Sequence, residues 1–170
     1  MTGFATACGS LRAATFAPAR RRPSACDFAG GPVASDPGNQ QRAYRAVWET
    51  RVHDLGVEPV VLGAVAHDEL PGLVAGAAAF AFPSVKEGFG LAAMEALAAG
   101  VPVVVRDLPV LREVFGSAVG YGADPASLAL ALLQAVKEPD PARRIRGIAL
   151  ARRHTWAAAA AGHLDFYASL

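Results

Sequence analysis

Three short apolar runs constrain most strongly what this chain of 170 residues can fold into. They are Pro59–Val65 (PVVLGAV), Phe80–Pro83 (FAFP) and Val101–Arg106 (VPVVVR). Each is apolar without alternation, the pattern of a strand covered on both faces. A stretch with helical features follows each one: Asp68–Ala77, Leu91–Ala99 closed by Gly100, and Leu108–Phe115. A fourth short strand is expected at Ala118–Gly122. Three helices are expected after it, at Pro125–Lys137, Pro141–Arg153 and Trp156–Ser169, with Asp124 and Thr155 at or beside the N-caps. Upstream, Tyr44, Val47, Trp48, Val52 and Leu55 mark a helix over Gln41–Leu55. Strands alternating with helices imply an α/β fold: an open parallel sheet with flanking helices, Rossmann-like. Ligands bind such sheets beyond the carboxyl ends of the strands. The loops after Val65, Phe82 and Val105 are therefore where chemistry is expected.

Residues 1–40 read differently. Residues 1–26 hold no acidic side chain but carry Arg12, Arg20, Arg21 and Arg22, and residues 30–39 are rich in Gly, Pro, Ser and Asp. A poorly structured leader of uncertain origin is expected there, a transit peptide being the alternative. A Rossmann-like domain is expected over 41–170. Hydrophobic residues make up 53% of the chain and charged residues 18%, which excludes a disordered chain. The net charge of +1 lacks the basic excess of a nucleic-acid binder. No apolar run reaches the ~18 residues of a membrane-spanning helix. Cys8 and Cys26 read as unpaired thiols of a cytoplasmic protein, and no Cys/His cluster has metal-site spacing, so no metal is expected. The stripe of Arg143, Arg144, Arg146, Arg152 and Arg153 reads as a solvated helix face, with peripheral contact to an anionic membrane as the alternative. His53, His67, His154 and His163 lack partners at catalytic spacing and read as surface or capping residues. Ser84 lacks the strand-to-helix elbow of a nucleophile.

The loop after the second run carries the chemistry. It reads Pro83-Ser84-Val85-Lys86-Glu87-Gly88-Phe89-Gly90, and a helix opens at Leu91. Glycines at a helix N-terminus let the backbone approach a ligand, and the exposed N–H groups there favour an anion such as a diphosphate. Lys86 adds positive charge. Glu87 lies in the loop and Glu95 in the helix, with seven residues between them. A carboxylate can accept paired hydrogen bonds from vicinal hydroxyls, which a sugar or a ribose offers. By spacing alone, ordinary loop charge and turn glycines fit the same residues. A second alternative is the dinucleotide fingerprint, with Gly88–Ala93 as G-x-G-x-x-A and Asp107 as the ribose-binding acid of a nicotinamide-dependent oxidoreductase. Against it, Pro83–Glu87 separate the first glycine from its strand.

The stretch FPSVKEGFGLAAMEALAAGVPVVV resembles the donor-binding signature of retaining glycosyltransferases of family four, which have the GT-B fold. Leu62–Ser84 resembles the family's preceding strand, helix and strand. Arg106–Val114 resembles the segment that follows, and Thr155-Trp156 the start of its C-terminal helix. The resemblance covers residues 44–170 and implies a C-terminal-domain type of GT-B fold, incomplete in this chain, with 41–170 as a nucleotide-sugar-binding domain. It implies transfer of a hexose, with retention, from a nucleotide diphosphate sugar that acts as substrate, with no cofactor. By position, Glu87 would be the catalytic-site residue touching the hexose, and Glu95 would hold the ribose. Backbone N–H groups of Gly88, Phe89, Gly90 and Leu91 would face the diphosphate, and Val65 would lie near the base. Lys86 completes the set without an assigned partner. Members of the family carry a second, acceptor-binding domain, so the chain is expected to be a fragment or half-enzyme. Its partner would be a separate acceptor-binding domain or subunit, onto which Phe166 and Tyr167 would pack. A non-catalytic nucleotide-sugar-binding half-domain is the alternative. A cytoplasmic location, at most peripheral to the membrane, goes with either.

Overall fold

The computed structural model describes residues 14–18, 27–29, 50, 53–54, 60–63 and 65–170. The strands are β1 (Ala14–Pro18), β2 (Asp27–Ala29), β3 (Val60–Gly63), β4 (Ala77–Phe82), β5 (Val103–Arg106) and β6 (Gly120–Gly122). The helices are α1 (Leu70–Ala75), α2 (Leu91–Ala98), α3 (Pro109–Phe115), α4 (Pro125–Lys137), α5 (Pro141–Arg153) and α6 (Trp156–Ala168). The described strands form one sheet in the order β3-β2-β1-β4-β5-β6.

Five of these strands run parallel, as strand–helix alternation requires. β1 alone runs against its neighbours β2 and β4. The four strands expected from the sequence, β3, β4, β5 and β6, run parallel as expected, and the antiparallel strand β1 is an addition to them. Both β1 and β2 also lie in the segment expected to be a leader. They hold three to five residues each, too short for hydrophobic periodicity to reveal them, and they join the sheet through backbone pairing. Cys8, Cys26 and most of the helix expected over 41–55 lie outside the described residues. Within that span Thr50, His53 and Asp54 are helical.

The register explains why the apolar runs do not alternate. In β4 and β5, Phe80 pairs with Val103 and Phe82 with Val105. These four face one way into a core shared with Ala93, Met94 and Leu97 of α2, Leu111 and Phe115 of α3, and Leu150 of α5. Ala79, Ala81 and Val104 face the other way and are buried too. There α4 lies across β4, β5 and β6. Small residues on that face allow the close approach: a Cβ at Gly122 would collide with the backbone of Leu128. Burying a large apolar side chain is worth roughly 1.5–3 kcal/mol. Phe80, Leu111, Val103, Val104 and Val105 are the largest fully buried ones, so the β4–β5–α3 region is the stable frame that carries the loops.

The cap residues read from the sequence hold. Asp124 accepts from Ala126 N and Ser127 N at the start of α4, and Thr155 from Ala158 N at the start of α6. Asp140 does the same for α5 through Arg143 N. At α1 the expected start at His67 or Asp68 moves to Glu69, whose side chain makes no cap bond.

Candidate functional site

The loop Pro83–Gly90 leaves the carboxyl end of β4 from buried Phe82 and ends on the first turn of α2. Gly90 is the N-cap of α2, in the left-handed region with φ 83° and ψ 48°, and no side chain caps the helix. The first-turn N–H groups of a helix lack intrahelical acceptors. At α4, α5 and α6 an Asp or Thr side chain takes up one or two of them. At α2 none is taken up by a cap, and α2 opens at the sheet's carboxyl edge.

Two carboxylates flank this N-terminus. Glu87 is half-buried, and its Oε1 accepts a hydrogen bond of 2.7 Å from Ser84 Oγ. Glu95 lies on the second turn of α2, also half-buried. Burial raises its pKa above the ordinary 4.5, and the electrostatic influence of nearby His67 partly opposes that shift. His67 sits in the loop after β3, close enough to Glu95 to act on its carboxyl. Val65, in the same loop, packs against the core together with Phe89 and Leu108. Lys86 is exposed and makes no ion pair among the described residues.

Sequence reasoning misses four contributors. Ser84 has no nucleophile context, yet its position three residues before Glu87 in a tight loop is the spacing for a local side-chain bond. The His154 ring packs against Phe89 with centroids 5.6 Å apart, and its Nδ1 lies 3.0 Å from the carbonyl oxygen of Leu150. It is the exposed C-cap residue of α5, as a surface or capping histidine should be, and it also packs on the loop between β4 and α2. Arg112 and Tyr121 complete a cluster at the end of β5. The Arg112 guanidinium grips both oxygens of Asp107, at 2.5 and 2.6 Å, and lies over the Tyr121 ring. This hydrogen bonding holds the Asp107 carboxyl below the usual carboxylate range. Asp107 is thereby engaged by the Arg112 cation.

The basic stripe is also partly engaged. Arg144 donates to the carbonyl of Gly100, Arg146 to that of Ser117, and Arg143 and Arg146 lie near Asp140. Among the described residues no group of three or more His, Cys, Asp and Glu side chains is placed to hold a metal ion.

An open α/β sheet whose carboxyl edge presents an uncapped helix N-terminus defines a protein of the Rossmann-like class. Residues 13–151 match the family model described as glycosyl transferases group 1, and the chain belongs to that family. The match begins before β1, so the family likeness reaches well upstream of residue 44, where the sequence resemblance starts. The chain is 42% identical over 101 residues to the O-antigen chain mannosyltransferase B of Escherichia coli, covering 56% of this chain and 26% of that protein. It is 39% identical over 95 residues to a GDP-mannose-dependent alpha-(1-6)-phosphatidylinositol dimannoside mannosyltransferase of Mycobacterium tuberculosis, covering 55% of this chain and 25% of that one. Among solved structures, sucrose-phosphate synthase from Thermosynechococcus elongatus superposes with a TM-score of 0.68 at 25% identity, over 83% of this chain and 37% of that one. The chain thus spans about a quarter of the length of these two curated relatives.

Proposed function

We propose that this chain is the donor-binding half of a retaining glycosyltransferase that transfers a hexose, mannose before others, from a nucleoside diphosphate sugar. The observation that carries the reading is the uncapped N-terminus of α2 set between Glu87 and Glu95. The N–H groups of Gly88, Phe89, Gly90 and Leu91 receive the diphosphate, which the helix dipole favours. Half-buried Glu95 accepts from the ribose hydroxyls, and Glu87 from hydroxyls of the hexose. During transfer the bond between the anomeric carbon and the diphosphate oxygen breaks, and the diphosphate keeps the electron pair. Donors fixed at the helix N-terminus stabilise the charge developing there. The mannosyl activities named for two relatives support mannose, and the GDP in one of those names supports guanosine as the base.

The acceptor half comes from a separate domain or subunit. Among the described residues α6 buries none of its side chains, and Trp156, Leu164, Phe166 and Tyr167 lie exposed along it. These supply an apolar face for such a partner. No helix among the described residues is long and apolar enough to cross a membrane. Lipid contact, in this reading, is peripheral and runs through exposed side chains such as Arg152 and Arg153.

Calorimetric titration of the chain with GDP, GDP-mannose and NADH tests this reading. GDP and GDP-mannose bind, NADH does not, and Glu95→Ala weakens both GDP ligands roughly ten- to a hundredfold by removing charge-assisted bonds. Transfer of mannose requires the acceptor half, because a solvent-open site lacks positioning and water exclusion. Binding of NADH alone, or an unchanged affinity in Glu95→Ala, refutes the proposal.

A further inference from the structure

We propose that Ser84 is a positioning residue for the sugar-selective step of this site: its hydroxyl clamps one carboxylate oxygen of Glu87 so that the other is presented to the donor hexose. The inference rests on the reading of Glu87 as the hexose contact. The Oγ–Oε1 distance of 2.7 Å is that of a hydroxyl donating to a charged acceptor. The same Oγ lies 3.4 Å from the Lys86 carbonyl oxygen, at the weak end of hydrogen bonding. A hydroxyl has one proton to donate, and the shorter, charge-assisted contact takes it.

Ser84 is well placed to act as an anchor. It lies two residues beyond Phe82, which is buried in the last position of β4, and Pro83 between them fixes its own φ near −65°. Both Ser84 and Glu87 are half-buried. No arginine, lysine or histidine pairs with Glu87 among the described residues, so the serine hydroxyl is the side-chain donor that orients it. A glutamate has three rotatable side-chain torsions, and a loop glutamate without a clamp would sample many carboxylate positions. Ser84 reduces that freedom before the sugar arrives, which is preorganisation in the ordinary sense.

The test uses the full chain, with GDP and GDP-mannose as probes, and reads the ratio of their affinities by calorimetry. Four variants are compared: Ser84→Ala, Ser84→Thr, Glu87→Ala and the Ser84→Ala/Glu87→Ala double. Ser84→Ala is expected to lose roughly three- to tenfold in GDP-mannose affinity with GDP unchanged within about twofold, in line with one hydrogen bond to a charged group. Ser84→Thr keeps the hydroxyl and restores the ratio. The double variant matches Glu87→Ala alone, because the serine acts only through that carboxylate. Equal losses for both ligands, or a further loss when Ser84→Ala is added to Glu87→Ala, would mean that the serine merely braces the loop, and would overturn the inference. An unaffected Ser84→Ala beside an impaired Glu87→Ala overturns the role of Ser84 and leaves that of Glu87 intact. A wild-type chain that binds neither probe, or binds both equally, removes the hexose contact itself, and the inference falls with it.

Discussion

Gly88 and Gly90 stand two residues apart in the same loop, and their substitution by alanine should have opposite consequences. Gly90 adopts φ 83°, a conformation that costs an L-residue roughly 1–2 kcal/mol. A Cβ there would lie 3.0 Å from Phe115 Cε2 and 3.2 Å from Leu111 Cδ2. Neither neighbour gives way cheaply, since Leu111 is fully buried and Phe115 is 2% exposed. Overpacking of this kind costs a further ~1–3 kcal/mol. The sum for Gly90→Ala is about 2–5 kcal/mol, a large share of the ~5–15 kcal/mol typical of a domain. A methyl at Gly88 would meet no atom within 4 Å, and its φ is ordinary, so Gly88→Ala should stay within about 0.5 kcal/mol of the parent. Urea unfolding followed by far-ultraviolet circular dichroism reads the difference. With a slope of about 2 kcal/mol per molar urea, the middle of the usual range, Gly90→Ala should lower the midpoint by about 1–2.5 M, while Gly88→Ala should leave it nearly unchanged. In GDP titrations the order reverses among the folded proteins: Gly88→Ala weakens binding, because its methyl stands where the diphosphate approaches the backbone. Equal midpoints for the two variants would refute the argument that Gly90 is required by conformation and crowding.

Two further outcomes follow from groups near the site. Because burial raises the Glu95 pKa above 4.5, the folded chain holds this proton at pH values where the unfolded chain has lost it, and stability falls as pH rises through that window; Glu95→Gln should therefore be more stable than the parent at neutral pH, equal to it well below pH 4.5, and weaker in binding GDP, all measurable by thermal melts across pH and by titration. Thr155→Ala removes the cap on Ala158 N and should cost α6 about 0.5–2 kcal/mol; with none of its side chains buried to hold it, α6 should show faster amide exchange over Trp156–Ala168 while β5 protection stays unchanged, and loss of protection in both would contradict the independence of that helix.

Much of this protein is legible from neighbours in sequence. The runs expected at Pro59–Val65, Phe80–Pro83 and Val101–Arg106, found as strands Val60–Gly63, Ala77–Phe82 and Val103–Arg106, the helices from Pro125 onward and the caps at Asp124 and Thr155 depend on residues within a few positions of one another. Periodicity and capping report such short-range chemistry directly. The glycosyltransferase resemblance is legible for the same reason, since Glu87, Gly88, Gly90 and Glu95 lie within nine residues. What the tertiary structure decided depends on residues brought together from afar. β1 lies against β4 with Thr15 opposite Ala81, a pairing across about sixty residues of chain that no local pattern announces. Asp107 reads as a ribose-binding acid only in the dinucleotide alternative, and it takes the docking of β6 to set the Tyr121 ring under the Arg112 that grips it. His154 reads as a surface or capping residue and is the C-cap of α5, but only the fold sets its ring against Phe89. Gly90 looks like a turn glycine, and its second constraint, the wall of Leu111 and Phe115, exists only once α3 has docked beside α2. Local sequence specifies which segment becomes strand, helix or cap; contacts distant in sequence specify the partners, because they are chosen by burial and pairing across the whole sheet.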